Sequence, residues 1–418
     1  MLHNKDIKIA GLKEKIDFGQ KAIFFTLMIM AFSLVFDGYT IWGLGSLFRL
    51  FGLNLAFFLP LTLLASPNAQ RSFASKFRSL PFITLLAFLF WSGVTILWAP
   101  NQNWALTRLI SYLGMLVVVL SFLTLPRSLV PKVWLSALVG GIISLPLGFV
   151  LPSPNPLLRE AQRFSSGGKD PNEYANLVLI IFLVNYFGAL FYFKKAHKRW
   201  LRLLGWAPLL AVALSGSRTA LISTIITVGA AVLMRGLKGS RFAIVIIGTI
   251  AISLYLLSDH PFVNNFVQRL LSLRTLTVEE TWAGRLDLWQ AAWKIFSKSP
   301  LGGIGVNNFA WVSPEYSRVA AYIASLREDR GGGVAHNSFL SVLAETGLIG
   351  GILFALLQVS MFTHLWRKRH EEPLAWGLML GFLGYWIASM ALTWEQAKVA
   401  FFLYGSVLAM GKRKYTHV

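Results

Sequence analysis

Three positions combine residue types that could do chemistry together. His336 stands in Val334-Ala335-His336-Asn337-Ser338-Phe339-Leu340, where Asn337 or Ser338 caps the helix that follows. With an ordinary pKa of about 6.5, a histidine at that boundary is a base that can be neutral at working pH and take a proton from a hydroxyl. The competing reading is a capping or packing histidine. Arg218 lies in Leu214-Ser215-Gly216-Ser217-Arg218-Thr219-Ala220, a tight turn in which Ser217 can cap the next helix. First-turn N–H groups, the helix dipole and a guanidinium then converge, which favours a phosphate. A charge this close to bilayer depth is costly, so it is either functional or a snorkelling end residue. Gly284-Arg285 repeats the device by opening an amphipathic helix, and two such sites could hold one diphosphate. Arg159, Arg163 and Asn337 are secondary substrate-binding candidates, with Lys169 close by.

Other chemistries lack their residues. The chain has no cysteine, which removes disulfides, thiolate metal sites and Cys nucleophiles. Gly168-Lys169 is followed by Asp170, so no phosphate-binding P-loop exists. The adjacent outer acidic pairs, Glu279-Glu280 and Glu328-Asp329, have no histidine at ligand spacing; neither a metal nor a cofactor is expected.

The elements that must position these groups are membrane helices. The 418 residues are 55% hydrophobic and only 14% charged, and mean hydropathy is +0.60, the profile of an all-α polytopic membrane protein. Hydropathy predicts twelve spans, near 21–37, 47–66, 80–98, 105–125, 132–151, 173–193, 200–215, 217–234, 242–258, 347–365, 374–393 and 396–411. Alternate loops and the two tails hold 24 of the 39 Lys and Arg, so the positive-inside rule puts both termini in the cytoplasm. The net charge of +21 is therefore mostly topological. Clusters such as Lys194-Lys195 and Arg367-Lys368-Arg369 read as orientation and anionic headgroup contacts with membrane lipids, not nucleic acid. The first span is read as retained, since no small-residue cleavage site follows it.

The remaining basic residues concentrate in two outer segments, 152–172 and 259–346. The second is a large loop between two transmembrane units, 1–258 and 347–418, the latter ending in a cytoplasmic tail. Within it Leu286, Trp289, Trp293 and Phe296 recur at helical spacing, either on the membrane surface or as core beneath a lid. Pro300-Leu301-Gly302-Gly303-Ile304-Gly305 and Gly331-Gly332-Gly333 read equally as hinges or as turns. Glu395, beside Trp394, either orients a substrate or caps a helix.

In order and spacing, several of these motifs resemble the O-antigen ligase and O-antigen polymerase superfamily of bacterial inner-membrane glycosyltransferases. The carriers are Asp170-Pro171-Asn172, Ser215-Gly216-Ser217-Arg218, Gly284-Arg285 with Trp289, Pro300-Leu301-Gly302 with Gly305, and His336-Asn337-Ser338-Phe339-Leu340 leading to Glu345-Thr346-Gly347-Leu348-Ile349-Gly350. The resemblance covers about 150–365. It implies a GT-C-type fold of about twelve transmembrane helices with a large helical periplasmic loop between spans nine and ten. It further implies transfer of a glycan from undecaprenyl diphosphate to an acceptor hydroxyl, without metal or cofactor. His336 would be the base or acceptor-positioning group, and Arg218 and Arg285 would bind the diphosphate. The first expectation is inverting ligation to a lipid A core sugar. Polymerisation on a growing glycan is the alternative, with protein O-glycosylation and lipid-linked sugar transport behind it.

Overall fold

A computed structural model of the chain describes residues 16–40, 46–151, 164–235 and 280–410. The expected span 242–258, Arg159, Arg163 and the C-terminal tail from 411 lie outside the described residues. All regular structure among the described residues is helical. The helices are α1 (Phe18–Ser33), α2 (Leu47–Ala65), α3 (Pro67–Phe77), α4 (Leu80–Val94), α5 (Gln102–Thr124), α6 (Val130–Val150), α7 (Pro171–Phe187) and α8 (Lys195–Leu204). They continue as α9 (Ala207–Leu214), α10 (Arg218–Arg235), α11 (Glu280–Lys298), α12 (Phe309–Val312), α13 (Arg318–Ser325), α14 (Ser338–Lys368), α15 (Pro373–Ser389) and α16 (Lys398–Ala409). Among the described residues, seven segments, several of them lengthened by a 3₁₀ turn, are long and apolar enough to cross a membrane.

Hydropathy and backbone chemistry part at three places. The expected span 200–215 divides at Gly205-Trp206 into α8 and α9, because Pro208 has no N–H to continue the hydrogen-bond ladder. Residues 67–77, read as loop, form α3, whose first turn is capped by Ser66 accepting from Ala69 N at 3.0 Å. Buried Lys76 of α3 donates to the carbonyls of Leu123 (3.1 Å) and Leu125 (2.8 Å), which end α5. That lysine does more than orient the chain, because it satisfies orphan carbonyls. The expected span at 347 begins instead at Ser338, in a helix interrupted at Gly347.

Polar contacts sort into two ends. At one end Gly38 N donates to Gly167 O (2.8 Å), Asn101 N to Asn308 Oδ1 (2.7 Å) and Trp394 N to Ser338 Oγ (2.7 Å). At the other, Arg127 meets Glu372 at 3.0 Å, Tyr192 donates to Glu372 at 2.9 Å, and Lys368 reaches Met410 O at 2.7 Å. Each pairing joins loops that the Lys/Arg count assigns to one side.

A large apolar core fills the bundle, and a smaller one, with Leu288, Ala292, Ile295, Phe309, Ala320, Ala335 and Ala344, lies beneath α11–α13. The second core decides against the core reading of the Leu286, Trp289, Trp293 and Phe296 stripe. Leu288, Ala291, Ala292 and Ile295 form the buried face of α11, while Leu286 and Trp293 are exposed.

The glycine-rich segment 300–305 locks the small core to the bundle. Ile304 N donates to Ala344 O (3.0 Å), Gly305 N to Glu345 O (2.8 Å) and Leu348 N to Pro300 O (2.7 Å), so residues 300–305 supply the backbone bonds that α14 lacks where it breaks. Gly347 adopts φ +66°, and a Cβ there would lie 2.2 Å from Leu301 O; at Gly303, with φ +67°, it would lie 2.4 Å from the Glu345 carbonyl carbon. These glycines therefore serve close backbone approach, which favours the turn reading over the hinge. Gly303→Ala and Gly347→Ala should each cost about 1–3 kcal/mol in strain alone. In detergent, either variant should melt several degrees below the parent; an unchanged melting temperature would refute the interlock.

Candidate active site

The segment that carries His336 is held on three sides. Asn337 is the N-cap of α14, its Oδ1 accepting from Phe339 N (3.0 Å) and Leu340 N (3.1 Å), while its amide donates to Met390 O at 3.2 Å. Ser338 Oγ donates to Leu392 O (2.9 Å) and accepts from Trp394 N (2.7 Å). Between Ala335 in the small core and this cap, His336 is left at φ +51°, a left-handed conformation uncommon for a residue with a Cβ. Residues Ala335 and Asn337 thus fix the histidine while its own ring stays out of the capping bonds. The capping role expected for Asn337 or Ser338 belongs to Asn337.

Two charged groups act on that ring. Burial pushes the imidazole below the ordinary histidine value, the Arg285 guanidinium pushes it further in the same direction, and the Asp170 carboxylate opposes both. The balance keeps His336 neutral near pH 7, as a proton acceptor must be. Asp170 reaches this place as the N-cap of α7, accepting from Asn172 N at 2.8 Å, with Pro171 in the first turn. The Asp170-Pro171-Asn172-Glu173 quartet is a helix start, and its carboxylate also faces the histidine electrostatically.

Arg218 occupies the expected turn. Gly216 takes φ +62°, Ser215 Oγ accepts from Ser217 N (3.2 Å), and Ser217 Oγ accepts from Ala220 N (3.3 Å), so Arg218 is the first residue of α10. Farther down α10, Ser223 Oγ donates to Gly384 O of α15 at 3.4 Å. Since α15 ends at Ser389 beside the Met390 carbonyl that Asn337 holds, Arg218 and His336 lie at the same end of the bundle.

Arg285 differs from its expected setting. Helix α11 begins at Glu280, so Gly284-Arg285 lies inside it, where N–H groups are already bonded along the helix. The site at Arg285 is a guanidinium without a set of free first-turn donors. Its helix is fixed by Asp287, which accepts from Ser317 Oγ and from Val319 N (3.2 Å). Of the sequence candidates, then, His336, Asn337, Arg218 and Arg285 gather at one end, while Arg159 and Arg163 lie outside the described residues.

Beneath His336 runs a buried ionic group that sequence reading did not assemble. Glu345 accepts from Asn307 N (2.7 Å) and Phe309 N (3.1 Å), Arg108 Nη2 donates to Asn307 Oδ1, and Arg108 Nη1 lies 4.0 Å from Glu395. Glu395 is 4% exposed and is thus a partner of Arg108 rather than a helix cap. An arginine within a membrane span was the available signal; its partners come from segments too distant in sequence for any spacing to reveal.

Arg285→Gln removes a positive neighbour, raising the His336 pKa and moving the acid limb of a pH–rate profile to higher pH. Asp170→Asn, which still caps α7, removes the group that favours imidazolium and moves that limb lower. Shifts of one sign in both variants, or none, would exclude His336 as the titrating group.

Comparison with known proteins bears on the same residues. Residues 203–355 match the family model described as O-antigen ligase. The chain is also 27% identical, over 364 residues, to the exopolysaccharide production protein ExoQ of Rhizobium meliloti (strain 1021), covering 82% of this chain and 75% of that protein. The matched family segment contains Arg218, Arg285 and His336, and the two likenesses together support one family for the chain, the O-antigen ligase and polymerase superfamily.

Proposed function

We infer that the chain is a membrane glycosyltransferase that moves a glycan from undecaprenyl diphosphate to an acceptor hydroxyl on the periplasmic side of the bacterial inner membrane, with both termini cytoplasmic. The observation that carries this reading is His336, buried toward neutrality on a constrained backbone, with the Arg285 cation acting on it. In the reaction, His336 accepts the proton as the acceptor oxygen bonds to the anomeric carbon. The bond from that carbon to the diphosphate oxygen breaks, and its electron pair leaves with the diphosphate. Arg218 and Arg285 stabilise the departing negative charge, and the imidazolium then returns its proton to the diphosphate or to water. Attack opposite the leaving group inverts the anomeric centre.

Two acceptors fit this chemistry. Likeness to an exopolysaccharide production protein over most of the chain favours a growing glycan, making the protein a polymerase. The O-antigen ligase match of residues 203–355 supports lipid A core as the second reading. Transporter function has less support, because the site holds a base beside cations at one membrane face instead of ionisable groups at the midplane.

Purified protein given lipid-linked repeat units alone should build a ladder visible by mass spectrometry. Glycan transferred only when lipid A core is added would make ligation the activity, and a product retaining the donor configuration would contradict direct displacement. His336→Ala should express and fold normally yet lose at least about 100-fold in rate, the lower end for a general base; parental activity in that variant would remove His336 from the mechanism.

A further inference from the structure

Beside the His336 segment, a cavity of about 800 Å³ opens between α1, α2 and α5. Its volume lies within the range of ligand pockets. The rim is charged: Arg49, Lys169 and Lys398 face Asp37 and Glu173 there, a net positive charge of one. Asp37 bridges the two lysines, bonded to Lys398 and 3.8 Å from Lys169. Below the rim the walls turn apolar, with Met30 of α1, Leu53 of α2, and Ile110 and Met115 of α5. The α5 wall runs from Thr107 to Val117; at 1.5 Å per residue this is about 15 Å, half the hydrocarbon thickness, or one leaflet.

Two glycines show that this space is kept open. Gly52 of α2 and Gly114 of α5 both line the cavity. Among the described residues, a Cβ on Gly114 would meet nothing within 4 Å, and one on Gly52 only the Met30 methyl at 4.0 Å. Small residues in membrane helices ordinarily let backbones pack closely, and Gly inside a helix is destabilising relative to Ala. Here no backbone of the described residues approaches, so packing among them does not account for these glycines. Leu53 (72% exposed) and Ile110 (68% exposed) on the same two helices show that the cavity gives onto the lipid-facing surface.

The rim also adjoins the candidate active site. Trp394, which lines the cavity, donates to Ser338, two residues after His336, and Lys169 precedes Asp170, which acts on His336. We propose that this groove admits and holds the apolar tail of a single-chain, polyprenyl-type lipid phosphate from the outer leaflet, its phosphate end passing Lys169 and Lys398 at the rim toward Arg218 and Arg285. Charge complementarity and continuity with the His336 segment select that occupant over a neutral lipid; the identification rests on the reading that the substrates are lipid-linked. The two glycines set the groove's width, so they govern recognition of the chain, not the chemistry at the sugar.

The test uses the full chain in phosphatidylethanolamine nanodiscs and a polyprenyl monophosphate bearing a benzophenone on its tail. Crosslinks should map to 49–56 and 107–117 and be competed by unlabelled undecaprenyl phosphate. Polyprenol without phosphate should compete at least tenfold less well. Gly52→Leu and Gly114→Leu should reduce labelling at least tenfold while eluting as the parent does on gel filtration. In transfer assays the same variants should raise the donor KM at least tenfold, leave kcat within twofold, and lose any preference for long over two-isoprene donors. Labelling elsewhere in the parent, undiminished labelling in both variants, or equal competition by phosphatidylglycerol, which would make the groove an ordinary lipid contact, overturns the proposal. Crosslinking needs no catalysis, so a parent that labels in the groove yet transfers no glycan refutes the proposed function and leaves the groove standing.

Discussion

Backbone hydrogen bonds at the edge of a membrane must be satisfied by protein, because hydrocarbon offers no partner. Where α14 breaks at Gly347 it would leave such groups bare, and residues 300–305 supply what is missing. Nearly everything at this end of the molecule depends on that exchange. It holds the small core beneath α11–α13 against the bundle, and that core in turn sets Ala335 and therefore His336. Indole N–H groups of α4 and its 3₁₀ extension reinforce it, Trp91 donating to Thr346 O at 2.9 Å and Trp98 to Gly303 O at 3.0 Å.

Charge in this protein is spent in two different ways. On one side, lysines and arginines orient the chain and finish helices, as Lys76 does for α5. On the other, Arg108, Glu345 and Glu395 are withdrawn from water: Glu345 accepts from the backbone N–H groups of Asn307 and Phe309, while Arg108 donates to Asn307 Oδ1 and lies 4.0 Å from Glu395. Buried ions of this kind are dear unless each has partners; their reward is that α5, the 305–309 loop and α14 are registered against one another directly below the histidine.

The groove and the candidate active site share this frame. Asp37 binds the lysine next to Asp170 and the lysine that opens α16, while Ser338 holds Trp394 three residues before Ala397, the N-cap of α16. A ligand that enters along α2 and α5 would therefore arrive beside His336 without crossing the packed core.

Much was legible in the sequence because it was local. Apolar runs marked most spans, Lys/Arg asymmetry sorted the loops onto two sides, and the Ser217 and Asn337 caps follow from side chains that bond their own helix within three residues. Residue chemistry alone pointed to His336 and Arg218. Tertiary structure decided the rest. The start of α11 moved Arg285 off a helix terminus, the face of α11 that is buried turned out to be Leu288 and Ile295, and the glycines proved to be contact points. No spacing rule joins Arg108 to Glu345 and Glu395, or brings Gly52 and Gly114 to the wall of one groove. Those relations exist only once helices far apart in sequence are packed, since burial, electrostatic coupling and cavity shape belong to pairs of elements and not to any one of them.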